Sequence, residues 1–144
     1  MTREACIGID PGSKGMLAML HAGEWSWVPL TAVEELKRLF AVLHGRDCIV
    51  AIEEVHALQG SSAKSTFTFG FNVGQVYGLL KAYDIPYVPV PPKRWQSEVW
   101  TSSDKVKTGG KVDTKRTSLN AAVRLLPGVD FKRTPNCKKM DDNK

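Results

Sequence analysis

Two short runs, Ile7-Gly8-Ile9 and Cys48-Ile49-Val50-Ala51-Ile52, are apolar throughout and rich in β-branched residues. A strand with water on one face alternates apolar and polar side chains, whereas an unbroken apolar run fits a strand covered on both faces. Strands of that kind sit centrally in a sheet layered with helices, which directs the chain to the α/β classes. Each run also ends in acid. Asp10 opens Asp10-Pro11-Gly12-Ser13-Lys14-Gly15, and Glu53-Glu54 closes the second run. A buried lone charge is costly unless a cation or several donors answer it. Asp-Pro-Gly is also good turn chemistry, so Asp10 alone fits a turn former, a metal ligand or a phosphate site. The second acid narrows the choice, because open α/β sheets place ligands at the carboxyl ends of their strands. Adjacent carboxylates repel unless one is protonated or a cation lies between them. All-oxygen ligands favour magnesium or manganese over zinc. A third acid pair, Asp141-Asp142, lies near the end of the sequence.

At 144 residues, 42% hydrophobic and 24% charged, the chain has the length and composition of one globular domain. No apolar run approaches the roughly 20 residues of a membrane span, and no signal-peptide pattern opens it. Cys6, Cys48 and Cys137 are an odd set without metal-site spacing, which suits a reducing, intracellular setting. Charge is unevenly distributed. Residues 1–92 hold 7 Lys/Arg against 9 Asp/Glu, and residues 93–139 hold 12 against 4. A basic half suggests a polyanion-binding face, with a solvated lysine surface as the plain alternative.

The pattern predicts strands over 5–9, 16–21 and 24–29, with an Ala22-Gly23 turn making the last two part of an antiparallel meander. Thr31-Ala32-Val33-Glu34 reads as a capping box, opening a helix with Val33, Leu36, Leu39, Phe40 and Leu43 on one side and ending near His44-Gly45. A fourth strand follows over 48–53, then a helix over 65–83. That helix repeats Gly70, Gly74 and Gly78 on one stripe, each costing about 1 kcal/mol against alanine. The stripe is expected to meet another backbone closely, in the sheet or in a second subunit. Phe67, Phe69 and Phe71 enter the same helix and are expected in the core, with DNA base wedges as the alternative. A short strand over 87–90 ends at Pro91-Pro92. Residues 93–112 read as an exposed loop or irregular helix. Asp113 or Thr114 caps a last helix with Leu119, Ala122, Val123 and Leu126 as its apolar stripe. The order is an RNase H-like α/β layout, a five-stranded mixed sheet flanked by helices.

Gly8-Ile9-Asp10-Pro11-Gly12-Ser13 together with Ala51-Ile52-Glu53-Glu54-Val55 resembles the RuvC-type Holliday junction resolvases, particularly their phage and bacterial relatives. The stretch from Val88-Pro89-Val90-Pro91 to Trp95, and Asp113-Thr114-Lys115-Arg116 with its helix, are similar to family segments in the same order. The first motif is shared with sugar kinases and other actin-like ATPases; Glu53 in its strand makes the combination specific. The resemblance implies a dimeric, magnesium-dependent endonuclease of the bacterial or phage-infected cytoplasm that cuts four-way DNA junctions by paired nicks. It implies two ions per site, magnesium or manganese, with Asp10 and Glu53 as ligands. Asp142 matches the earlier of the family's two C-terminal acids, with Asp141 as the fallback. The last family acid has no counterpart before Lys144, so residues 1–144 are expected to form one nuclease domain without its C-terminal helix. The family often places a DNA-stacking aromatic soon after the fourth-strand acid. His56 holds that place here, as a DNA contact or a plain loop histidine.

Lys105, Lys107, Lys111, Lys115 and Arg116 are the expected phosphate contacts, so binding should weaken with salt. Arg94 and Trp95 are expected at backbone or base, with packing beside Pro91 an equal alternative for Trp95. Two other functions fit parts of the sequence. A non-catalytic junction-binding module would bind branched DNA and leave it uncut. An actin-like kinase or ATPase fragment would share the Asp10 turn, although 144 residues are few for it.

Overall fold

The computed structural model describes residues 3–12, 14–56 and 60–131. Its elements are β1 (Ala5–Asp10), β2 (Met16–His21), β3 (Glu24–Pro29), α1 (Val33–Leu43), β4 (Cys48–Glu53), α2 (Ala63–Ala82), β5 (Tyr87–Val90), α3 (Pro92–Val99), β6 (Lys107–Thr108), β7 (Lys111–Val112) and α4 (Thr114–Leu125). The chain divides into two compact units, Met1–Pro91 and Pro92–Lys144.

The first unit holds a five-stranded sheet in the order β3-β2-β1-β4-β5. β1, β2 and β3 form the antiparallel meander, and β4 lies parallel to both β1 and β5. Ala22 and Gly23 turn the β2–β3 hairpin with φ of 50° and 82°, the left-handed pair that matches the twist of the flanking strands. Ile7, Ile9, Leu17, Val28, Val50 and Ile52 are buried in one cluster with Leu36, Phe40 and Leu43 of α1 and Val76 and Leu80 of α2. Burying one such side chain contributes about 1.5–3 kcal/mol, so this layer holds the unit together. At the far end of α1, His44 Nδ1 lies 2.7 Å from the Tyr83 carbonyl; the ring N–H donates there and ties the ends of α1 and α2 together. Burial first, then the nearby Asp47 carboxylate, pushes the Cys48 thiol pKa up. Cys6, one strand over, is exposed.

Several expectations fail for physical reasons. The capping box does not form: α1 begins after Ala32, with no side-chain cap. Leu30 N–H bonds to the Gly15 carbonyl and Ala32 N–H to the Pro29 carbonyl, so the backbone sets the helix start one residue later. Glu34 then pairs with Lys37 at 3.1 Å rather than reaching back. Phe67 and Phe71 are not core residues, being 75% and 57% exposed. Nor does the glycine stripe meet the sheet, since a Cβ at Gly70, Gly74 or Gly78 would find nothing within 4 Å among the described residues of this chain. The two-sided burial expected of the central strands is one-sided in β1, where Cys6, Gly8 and Asp10 are exposed, while Ile49, Ala51 and Glu53 of β4 are half-buried.

In the second unit, the expected loop over 93–112 contains α3 and a two-stranded hairpin, β6–β7. Gly109 and Gly110 at its tip have φ of 58° and 79°, another tight hairpin turn. Asp113 caps α4 as expected, its carboxylate accepting from Arg116 N–H at 3.1 Å. The inward face of α4 is not the expected apolar stripe. Thr117 and Ala121 are buried, while Val123 is 37% exposed. Polar links orient the helix instead. Val106 N–H donates to Thr117 Oγ1 at 3.1 Å, and Asn120 Nδ2 to the Asp104 carbonyl at 3.0 Å. Arg124 holds the Asp104 carboxylate at 2.9 Å. These residues lie at i, i+3 and i+7 of one helical face, and that face wins over the weaker leucine pattern. Among the described residues, no helix is long and apolar enough to cross a membrane.

Candidate active site

The β1–β4 register decides where the two leading acids lie. Ile9 pairs with Ile52 in parallel, so the next residues, Asp10 and Glu53, come side by side at the carboxyl ends of their strands. Adjacent strands are about 4.8 Å apart. Because side chains alternate along a strand, both acids leave the sheet on the face opposite the buried Ile9 and Ile52. Asp10 is exposed and Glu53 half-buried. The expectation that two central strands each deliver an acid to one sheet end is met.

The turn after Asp10 shapes the carboxylate. Gly12 N–H donates to Asp10 Oδ1 at 2.9 Å, which orients one oxygen while leaving the group able to bind a cation. A Cβ at Gly12 would sit 3.2 Å from that oxygen, so glycine keeps the approach open. Gly15 is more tightly held: a Cβ there would run into the Asp10 carbonyl and lie 2.6 Å from Leu30 Cδ1. The Gly15 carbonyl in turn accepts from Leu30 N–H. The sequence Asp-Pro-Gly-Ser-Lys-Gly thus folds as it does because two glycines let the turn close against β1 and the β3–α1 link.

Asp141 and Asp142 lie outside the described residues. Among the described residues, no group of three or more His, Cys, Asp or Glu side chains is arranged to hold a metal. Asp10 and Glu53 bring two carboxylates, hard oxygen donors of the kind that suit magnesium or manganese, to one end of the sheet. Glu54 follows Glu53, and its carboxylate lies 3.8 Å from His56 Nε2. His56 is 77% exposed, a loop position open to solvent. Tyr77 and Tyr87 meet edge to face at 5.3 Å; burial, then Tyr87 and Glu54, push the Tyr77 hydroxyl pKa up.

The expected basic contacts fall in the second unit. Arg94 is exposed on α3, Lys105, Lys107 and Lys111 are exposed at and on the β6–β7 hairpin, and Lys115 and Arg116 open α4. Trp95 packs edge to face on Trp100, with ring centroids 5.7 Å apart. Sequence reasoning missed Asp104, 3% exposed, because its partner Arg124 lies 20 residues away and no local pattern joins them.

No protein-family model and no curated protein matches this sequence. Solved structures do. The chain is similar to T. thermophilus RuvC in complex with a Holliday junction substrate, at 17% identity and a TM-score of 0.54, over 92% of this chain and 83% of that one. Its fold is RNase H-like, as in RuvC. A second Thermus thermophilus RuvC structure matches at 19% identity and a TM-score of 0.49, over 92% and 85%. The mixed five-stranded sheet flanked by helices is the architecture expected from the sequence.

Proposed function

We propose that this chain is a divalent-metal-dependent, structure-selective endonuclease that resolves four-way DNA junctions by paired phosphodiester hydrolysis, working as a homodimer. The observation that carries this reading is the juxtaposition of Asp10 and Glu53 at the ends of parallel β1 and β4. The fold likeness to a RuvC bound to a Holliday junction supports a junction-resolving nuclease in general. Residues 1–144 are read as one nuclease domain.

Asp10 and Glu53 would hold the metal, with Asp142, or else Asp141, completing the set. Bound magnesium or manganese ions supply an activated water and charge stabilisation at the leaving oxygen. The chain's own residues bind and orient. The Gly12 N–H fixes the Asp10 carboxylate, Lys105, Lys107, Lys111, Lys115 and Arg116 hold phosphates, Arg94 meets backbone or base, and His56 is a further DNA contact. Lys115 and Arg116 stand in the first turn of α4, where the helix dipole disfavours cations. Their placement is easier to understand as serving an anion than as stabilising the helix.

A two-fold dimer would present two sites to a junction of matching symmetry. The outward stripe of α2, with Phe67 and Phe71 exposed and Gly70, Gly74 and Gly78 open, supports an interface or a base-stacking role for this face. The deciding experiment is cleavage of a labelled synthetic four-way junction in magnesium, beside a linear duplex and an Asp10→Asn control. Symmetric nicks that require Asp10 and metal are expected. Tight binding without cleavage would reject the nuclease in favour of a junction-binding module, and binding of ATP would point to the ATPase reading.

A further inference from the structure

The first unit contains a pocket of 290 Å³ lined by Gly12, Gly15, Leu30, Thr31, Val33, Asn72 and Gln75. It shares Gly12 with the acid-bearing turn, since the Gly12 N–H is bound to Asp10 Oδ1. The pocket therefore adjoins the turn that follows Asp10, on the α1 and α2 side of the sheet, and no role in metal binding or phosphate holding accounts for it.

We propose that this pocket receives one nucleobase of the DNA strand next to the cleavage site and so sets a sequence preference. The inference rests on the nuclease reading above. Thr31, Asn72 and Gln75 supply its polar lining, and none of the three side chains hydrogen-bonds to another described residue. The hydroxyl of Thr31 is available because α1 starts without a side-chain cap. Asn and Gln amides each offer donors and an acceptor. A phosphate would use only the donors, and no Lys or Arg among the described residues lines the pocket. A base edge uses both, because an unpaired base offers an Asn or Gln amide an adjacent donor and acceptor. Leu30 and Val33 give apolar wall for the flat ring. Gly12 and Gly15, without side chains, keep the wall nearest Asp10 low. A base can enter only when unstacked, which costs least where it is already unpaired. Branched DNA provides such bases close to the strand exchange point.

The test compares junctions identical except for the base at each position flanking the nick. Binding is read without divalent metal, and cleavage in magnesium, for the unaltered protein, Asn72→Ala and Gln75→Ala. Neither side chain is buried, so both variants should fold. About tenfold discrimination at one position, in the range of a single bidentate amide contact, is expected in the unaltered protein and should be lost in the variants. No discrimination, or discrimination that survives both substitutions, would overturn the proposal. Discrimination in binding that the variants abolish, with no cleavage in any sample, would sustain the pocket and reject the nuclease. Cleavage indifferent to base at every position would do the reverse.

Discussion

Gly15 shows how little slack the acid-bearing turn has. Its missing side chain is where the Asp10 carbonyl, Leu30 Cδ1 at 2.6 Å and the Gly12 carbonyl at 2.8 Å converge on one point. Two of those three neighbours are backbone and cannot swing aside. Gly15→Ala is therefore expected to lower stability by about 1–3 kcal/mol, the range for overpacking, measured as a shift in the urea midpoint. Cleavage per folded molecule should fall too, because relief would come by moving the strand end that carries Asp10. A substitution that leaves both unchanged would mean the turn is looser than its contacts. The acid itself was legible in the sequence, since a carboxylate ending a buried strand is conspicuous without any tertiary knowledge. Thr31 was not legible. Its spacing to Glu34 satisfies the capping-box rule, but the bond from Leu30 N–H to the Gly15 carbonyl overrides it, and that bond joins residues whose proximity only the fold creates.

Elements repeat the lesson with larger consequences. α1 shows its inward face in sequence because hydrophobic spacing alone decides it, and Leu36, Phe40 and Leu43 are buried as read. α4 hides its inward face because polar bonds orient it. Its anchor is Asp104, which accepts from Thr101 N–H at 2.7 Å and from Arg124 Nη2 at 2.9 Å. Those bonds, Arg124 first, hold the Asp104 carboxyl well below the usual carboxylate range. A depressed folded-state pKa contributes stability that is fully present above the unfolded value, about 3.9, and is lost as pH falls through the folded value. Asp104→Asn should thus be less stable than the parent at pH 7, and the gap should narrow toward pH 2. Parallel denaturation curves at both pH values check this; a gap of unchanged size in acid would assign the loss to packing rather than charge. α2 offers the complementary case. Gly74 has open space around its absent Cβ, and leucine has the better helix propensity by about 0.8–1 kcal/mol. Gly74→Leu should fold normally and fail to dimerise, so sedimentation showing an intact dimer would remove α2 from the interface.

Across the whole molecule, chemistry and charge are assigned to different stretches of chain. The acids that lead the site come from the first unit, which carries 7 Lys/Arg against 9 Asp/Glu over residues 1–92, and the cations follow, 12 against 4 over 93–139. On the proposed reading, a site that gathers cationic metal would gain from acidic neighbours and a surface that holds phosphates from basic ones, and segregating the two along the chain would serve both. Affinity and cleavage should therefore separate under mutation. Neutralising phosphate contacts releases fewer counterions, so each lost contact should flatten the dependence of log affinity on log salt by about one unit. Lys107 and Lys111 stand on the β6–β7 hairpin, paired across it with Val112 and Thr108, and both are exposed. Lys107→Ala with Lys111→Ala should flatten the slope for junction binding by about two, with weaker binding at low salt. Asp10→Asn should keep the parent slope and lose cleavage, because on the proposed reading it removes a metal ligand and no phosphate contact. Titrations between low and moderate salt decide the matter. If the lysine pair leaves the slope intact, the hairpin is a solvated surface and the basic stretch meets DNA elsewhere. If Asp10→Asn changes the slope, its carboxylate senses the DNA charge directly, and the division of labour between the two stretches fails.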